Sequence, residues 1–352
     1  MKQNITHHKI QKKWGEKMQK SRYSCAGHKN KRIKKAKNRL VLVRDSLRDL
    51  CVTCFNPMFR FDQFEGWFYK HENHNTVLAL IAGASIDKDG TKHPFLQIIW
   101  NENSYCLDFP EEEYVVDKRQ KRIILGSNIF SLRGVRLNIK IEDFSLQGVI
   151  RYRQLQPIRY SIMGPLELVP FMECKHEIIS MNHELKGTVR INGAMFDFTD
   201  GKGYMEGDRG RSFPKDYVWV HCNHFSEPAS IMAAVAHIPF MGCSFQGCIC
   251  VIWYKNREYR FATYLGARVA CLRKTCIILK QGQYSLKLFL TNKNSHGSGT
   301  FSYKLAAPRK GKMTRLIKEG HMYSGRFLLY QGNEIIFDLY SNWISYEYEI
   351  PF

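Results

Sequence analysis

Gly203-Tyr-Met-Glu-Gly-Asp-Arg-Gly-Arg-Ser-Phe-Pro-Lys-Asp-Tyr-Val-Trp-Val-His-Cys-Asn223 is the stretch whose reading decides the fold. It predicts two β-strands around a Gly-Arg-Ser-Phe-Pro turn, and residues two apart on a strand share a face. One face of the first strand carries Tyr204, Glu206 and Asp208. One face of the second carries Tyr217, Trp219, His221, Asn223 and Phe225, while Val218, Val220 and Cys222 make its back mostly apolar. A strand apolar on one side and bearing Trp, His and Asn on the other either faces solvent with its polar side or lines a cavity where polar groups meet a ligand.

Outward from this stretch, β patterns continue in both directions. Towards the N-terminus they include 66–71, 76–83, 95–101, 113–117, 135–142 and 144–152, and towards the C-terminus they run on to 346–349. Asn192-Gly193, Lys255-Asn256, Gln281-Gly282 and Gln331-Gly332-Asn333 are hairpin connectors, Asn-Gly being the strongest such signal. The Tyr (18) and Phe (22) content favours pleated, half-buried surfaces. Helices are few, with 312–318 the one short candidate. Many short antiparallel strands over about 300 residues predict an all-β protein of barrels or sandwiches, and two barrels of roughly eight strands fit the length. A Pro/Gly-marked stretch from Gln156 to Pro170 reads as the corner between two domains. The expected division is a basic extension at 1–52, a first barrel at 53–165, and a second at 166–352 carrying the signature strands.

The formal charge of +21 belongs largely to one end. Residues 1–48 hold 16 Lys and Arg against Glu16 and Asp45. This segment reads as a disordered or short helical arm, and its basic residues offer a peripheral contact with an anionic membrane surface. No secretory leader pattern is present, and the longest apolar run, 77–86, is about half the ~20 residues a spanning helix needs. Eleven scattered cysteines fit free thiols in a reducing cytoplasm. Cys51 and Cys54 form a lone pair without a second pair nearby, so no metal site is expected. Dinucleotide, Walker A, Gly-x-Ser-x-Gly and His-Glu-x-x-His patterns are absent, and no cofactor is expected. Nucleic acid is not an expected partner.

Glu206 and Asp208 stand out as paired carboxylates on one strand face. Two such acids tend to share a proton, and a carboxylic acid kept neutral in an apolar cavity is a proton donor. The competing reading is a surface strand whose acids face Arg209, Arg211 or Lys215. Glu65-Gly-Trp-Phe-Tyr-Lys-His71 places Glu65, Trp67, Tyr69 and His71 on one face, either as a pocket wall or as barrel core. Glu173 and His176, three apart, sit in the presumed inter-domain corner.

These segments resemble the tocopherol cyclase family. The resemblance rests on Glu65-Gly-Trp-Phe-Tyr-Lys70, Met163-Gly-Pro165, Glu173-Cys174 and Ser180-Met-Asn-His183. It is strongest at Gly201-Lys-Gly-Tyr-Met-Glu206, Ser212-Phe-Pro214 and Trp219-Val-His-Cys-Asn223, and spans about 56–352. It implies a tandem pair of lipocalin-like antiparallel β-barrels, similar in fold to carotenoid hydratases. The implied chemistry is protonation of an isoprenoid alkene, giving ring closure or hydration of a prenylated aromatic or lipid. Glu206 or Asp208 would donate the proton, with His221 or Asn223 orienting a phenol or relaying a proton. Trp67, Tyr69, Tyr204 and Trp219 would wall the pocket, with Glu65, Glu173 and His176 among the binding residues. Two positions depart from the family pattern: a cation, Arg209, stands where an aromatic is usual, and His221 stands where a Gln is common. The alternative function is a non-catalytic isoprenoid or lipid carrier of lipocalin type.

Overall fold

The computed structural model describes residues 61–73, 76–169, 172–240, 243–291 and 301–351. The expected basic arm at 1–52 and the Cys51/Cys54 pair lie outside the described residues. The strands of the first sheet are β1 (Gln63–Asn73), β2 (Thr76–Ile86), β3 (Lys92–Trp100), β4 (Asn103–Asp108), β5 (Tyr114–Asp117), β6 (Arg122–Leu125), β7 (Asn128–Ser131), β8 (Gly134–Ile141), β9 (Phe144–Arg153), β10 (Cys174–Ile191), β11 (Ala194–Asp197) and β12 (Lys202–Gly210). Those of the second are β13 (Tyr217–Cys222), β14 (Ala229–Phe240), β15 (Cys243–Tyr254), β16 (Arg257–Ala262), β17 (Arg268–Arg273), β18 (Cys276–Gln281), β19 (Tyr284–Thr291), β20 (Phe301–Arg309), β21 (Lys312–Gln331) and β22 (Glu334–Glu349). The all-β reading holds. The short helix expected at 312–318 is instead the start of β21, whose alternating exposed and buried residues follow a period of two.

The two sheets are built alike. The first has the order β4-β3-β2-β1-β12-β10-β9-β8-β7-β6-β5, the second β16-β15-β14-β13-β22-β21-β19-β18-β17, with β11 and β20 pairing to the side. Each begins with a four-strand meander whose first strand pairs with the sheet's last. The Asn192-Gly193 turn closes the β10–β11 hairpin with φ of 48° and 85°, the two positive values a type I′ turn demands.

Neither sheet closes into a barrel. β4 and β5 end the first sheet, β16 and β17 the second, and no ladder joins either pair. At both places the chain leaves the sheet in a 3-10 turn. Glu111–Glu113 follows Pro110, which has no N–H to give to a ladder, and Thr263–Leu265 ends at the left-handed Gly266. The change of sheet also differs from the expected boundary at 165. It falls at residues 211–216, between β12 and β13, because β10 and β12 lie between β9 and β1 in the first sheet. The signature strands are therefore divided between the sheets, and the Pro/Gly stretch before β10 belongs to the connection between β9 and β10, antiparallel neighbours within the first.

Strand alternation sorts the side chains into three cores. Tyr69, Leu80, Ile98, Phe130 and Met205 belong to the core of the first sheet's own concavity. Val218, Val220, Cys222, Ile231 and Phe327 belong to the second's. A third cluster joins the two sheets, with Phe68, Ile178 and Tyr204 from one and Tyr217, Trp219, Met232 and Ile317 from the other. The apolar back of β13 thus packs as its sequence predicts, and its aromatic face meets the first sheet.

Candidate active site

Between the sheets lies a cavity of about 190 Å³. Phe64, Phe68, Met163, Leu166, Phe213 and Ile249 contribute to a mainly apolar wall, in which Glu206, Asp208, His176, Trp219, Glu319 and Glu347 are set. Parity places the acids there. Tyr204, Glu206 and Asp208 occupy the inter-sheet face of β12, while Met205 enters the first sheet's core behind it.

His176 on β10 is the register partner of Asp208 and bridges both acids. Its Nδ1 lies 2.8 Å from Asp208 Oδ1. Its Nε2 lies 3.4 Å from Glu206 Oε2, in ion-pair range but without hydrogen-bond geometry. The Tyr204 hydroxyl donates a short hydrogen bond to Glu206 Oε2. Burial pushes the Glu206 carboxyl up to about 7; His176 opposes this, the charge of Asp208 adds to it, and the Tyr204 hydroxyl and Trp219 indole pull it down. Burial alone would lower His176, but Asp208 and then Glu206 outweigh it and hold the imidazole at about 9. The result is an imidazolium–carboxylate pair beside a carboxyl that titrates near neutrality. Arg209 points away: its Nη2 lies 2.8 Å from Glu167 Oε1, so the departure from the family pattern leaves the acids without a neighbouring guanidinium.

His176, Glu206 and Asp208 offer ligand atoms within 4.8 Å of one another, a set that could also hold a metal ion and that the sequence reading did not foresee. Their donor types, one imidazole and two carboxylates, suit several divalent metals.

A buried polar network continues from the cavity between the sheets. Lys70 Nζ lies 3.0 Å from Glu72 Oε1, with the two side chains 0% and 1% exposed, and donates to Ser345 Oγ at 2.8 Å. His321 Nδ1 lies 2.6 Å from the same hydroxyl. His321 Nε2 contacts the Tyr303 hydroxyl and lies 3.4 Å from Glu319 Oε1. His224 reaches Glu72 at 3.4 Å.

The remaining expected site residues divide by strand face. Trp219 and Glu173 line the cavity, and burial raises the Glu173 carboxyl. Trp67 and Tyr69 face the first sheet's own core, and Glu65 on the same strand face accepts a hydrogen bond from Tyr114 at 3.1 Å. On β1 it is Phe64, Gly66 and Phe68 that reach the cavity. The more decorated face of β1 is therefore structural. Trp67 fits there because its register partner is Gly207, where a Cβ would stand 3.0 Å from the indole. His221 does not line the cavity. Its ring stacks on Tyr204 at 3.8 Å, and burial drives its pKa well down, so it supports Tyr204 as a neutral ring. Asn223 Nδ2 donates to Gly203 O (3.1 Å) and Asn182 Oδ1 (3.2 Å), pinning the start of β12. Glu319 and Glu347 were not anticipated. For Glu347 the signal, a Glu alternating with aromatic residues in Tyr346-Glu-Tyr-Glu349, resembles the one that singles out Glu206, whereas Glu319 in Ile317-Lys-Glu-Gly-His321 carries no such signal.

Comparison with known proteins bears on this arrangement. A tocopherol cyclase-like family model matches residues 136–287. The resemblance read from the sequence is real. The matched span includes His176, Tyr204, Glu206, Asp208 and Trp219, but neither β1 nor the strands carrying Glu319 and Glu347. A probable chloroplastic tocopherol cyclase of Oryza sativa subsp. japonica is 28% identical over 94 residues, 27% of this chain and 20% of that protein. The chloroplastic tocopherol cyclase of Zea mays is 26% identical over 83 residues, 24% of this chain and 18% of that protein. The chain thus spans about a fifth of these relatives' length. A crystal structure of a candidate AttH protein from Nitrosomonas europaea superposes with a TM-score of 0.47 at 10% identity, covering 84% of this chain and 94% of that one. No helix among the described residues is long and apolar enough to cross a membrane.

Proposed function

We propose that this protein protonates an alkene of an isoprenoid held between its two sheets, producing ring closure or hydration. One observation carries the reading: Glu206 is a carboxyl in a mainly apolar cavity, with burial holding it partly protonated at neutral pH. A general acid works best with a pKa near the operating pH. Its proton passes to the less substituted alkene carbon; the π bond breaks, a C–H bond forms, and a tertiary cation results. Phe68 and Trp219 offer π faces to that cation. A hydroxyl oxygen of the ligand, or a water, then closes on the cation. It loses its proton to the Glu206 carboxylate, which restores the donor, so ring closure balances without a further reactant. Asp208 holds His176 beside Glu206, and the imidazolium, whose effect outweighs that of Asp208, limits how far burial can raise the carboxyl. The chemistry of the matched tocopherol cyclases supports this reading, as does the position of the matched residues around one cavity.

The test is incubation with a geranylated hydroquinone in deuterated water, followed by mass spectrometry of the products. Wild-type protein should give a chromanol or tertiary alcohol carrying one deuterium at the former alkene carbon. Glu206→Gln should bind the probe and turn it over at least about a hundredfold more slowly, the usual contribution of a general acid. Equal turnover by the two proteins refutes the assignment of Glu206. Binding by both without conversion would instead leave a carrier.

A further inference from the structure

Glu319 and Glu347 stand opposite each other in the register of β21 and β22, and both line the cavity. Carboxylates directly opposite on one sheet face repel, and burying them in an apolar cavity adds a desolvation cost. Nothing in the cavity wall relieves that cost with positive charge. Its described lining residues include no Lys or Arg, and its one imidazole, His176, is engaged by Asp208 and Glu206. The Lys70 ammonium acts on Glu319 from a distance but is committed to Glu72 and Ser345. The pair is accordingly driven towards its neutral form. Burial raises both carboxyls, Glu347 to about 8, and the charge of each neighbouring acid adds to this.

The partners of the two acids are hydroxyls and a neutral ring. Tyr217 donates to Glu347 Oε2 at 2.6 Å. His321, which burial lowers to about 3, lies 3.4 Å from Glu319 Oε1. That oxygen has no hydrogen-bond partner, although Glu319 is 1% exposed. An orphaned buried acceptor costs roughly 1–3 kcal/mol, and one set in the wall of a ligand-sized cavity calls for a hydrogen-bond donor on the ligand.

We propose that the Glu319–Glu347 pair is a subsite for the hydroxyl group of a neutral isoprenoid, and that the cavity rejects the corresponding diphosphate. A neutral carboxylic acid both donates and accepts, so it can satisfy a hydroxyl in both senses, whereas a hydrocarbon leaves Glu319 Oε1 unpaired. A diphosphate would bring negative charge to a wall whose described residues include five carboxyls and no Lys or Arg. The inference rests on the reading of the cavity as a ligand site but not on the proton transfer assigned to Glu206.

The experiment is equilibrium binding to the full chain of three C15 probes: farnesol, its hydrocarbon counterpart farnesene, and farnesyl diphosphate. Tryptophan emission reports binding, with Trp219→Phe as the control for signal origin. Farnesol should bind roughly ten- to a hundredfold more tightly than farnesene, and the diphosphate more weakly than either. Glu319→Leu should bring farnesol down to the affinity of farnesene while leaving farnesene itself unchanged or tighter. Glu319→Gln, which keeps a donor and an acceptor, should retain most of the preference for farnesol. Equal affinity for farnesol and farnesene in the wild type, or preference for the diphosphate, overturns the proposal without need of any variant. An undiminished preference for farnesol in folded Glu319→Leu does the same. A protein that selects farnesol but incorporates no deuterium into any prenylated probe would refute the catalytic reading and leave the subsite standing.

Discussion

Replacing Lys70 by Met is the sharpest structural test of how the sheets are joined. Lys70 and Glu72 are buried together at 0% and 1% side-chain exposure, 3.0 Å apart, at the junction of the two sheets. Methionine nearly matches the lysine stem but removes the ammonium, stranding a carboxylate in the interior. Breaking one side of a buried pair typically costs 3–5 kcal/mol, while replacing both sides by apolar groups is often neutral. For a domain of this size that loss lowers Tm by roughly 6–10 °C. The pH dependence gives the mechanism away. In the wild type burial raises the Glu72 carboxyl, but Lys70, with help from His224 and His321, outweighs burial and leaves it well below the usual 4.5. A depressed carboxyl contributes stability above its unfolded pKa and loses it as pH falls through the folded one. In Lys70→Met burial dominates and the sign reverses, so the penalty is full at pH 7–8 and relaxes as the carboxyl takes up a proton. Urea unfolding followed by circular dichroism should therefore show a gap between the two proteins that narrows from pH 7 to pH 4. Lys70→Met with Glu72→Leu should recover to within about 2 kcal/mol of the wild type. A loss under about 1 kcal/mol at pH 7, or one that does not change with pH, would refute the reasoning.

Other outcomes follow from the same geometry. Because Glu206 must carry its proton to donate it, kcat/KM on the geranylated hydroquinone should be flat below pH 7 and fall tenfold per unit above it. Since His176 lowers the Glu206 pKa, His176→Asn should move that limb upward by about a unit or more, and a limb that stays put would show that the charge contact has no influence. Trp67→Ala should cost roughly 3–5 kcal/mol of stability with probe affinity unchanged, whereas Trp219→Ala should weaken probe binding; a reversal, seen by pairing urea unfolding with binding isotherms, would show that the faces of β1 and β13 are misassigned.

The parts of this architecture that were legible in the sequence are those governed by local rules. Period-two alternation told Val218, Val220 and Cys222 from Tyr217 and Trp219, and put Glu206 and Asp208 on one face, because a strand permits only two faces. The Asn192-Gly193 hairpin was legible because few dipeptides tolerate two positive φ values. Long-range pairing was not. That β10 and β12 join the first sheet depends on hydrogen bonds between segments far apart in the chain, and no local signal records them. The same limit hid Glu319 and Glu347, which reach the acids of β12 only through packing of one sheet on the other. On β1 the error had another source. Trp67 and Tyr69 are conspicuous residues on the face turned to the first sheet's core, while the cavity face is marked by Phe64, Gly66 and Phe68, which look like ordinary core. Alternation shows which residues travel together, not which side they will find.

The division of the site between two sheets has a consequence for how the protein comes into being on the ribosome. The chain crosses from one sheet to the other at residues 211–216, and everything before that crossing contributes His176, Glu206 and Asp208 but no opposing wall. Glu347, together with the serine that ties Lys70 to His321, arrives on β22, the last in chain order of the described strands, which must slot between β13 and β21. A nascent chain therefore holds its acids open to water until β22 has been made. On the proposed chemistry, proton-donating power towards an alkene would switch on only once β22 is in place, and chains cut before that strand would be chemically silent.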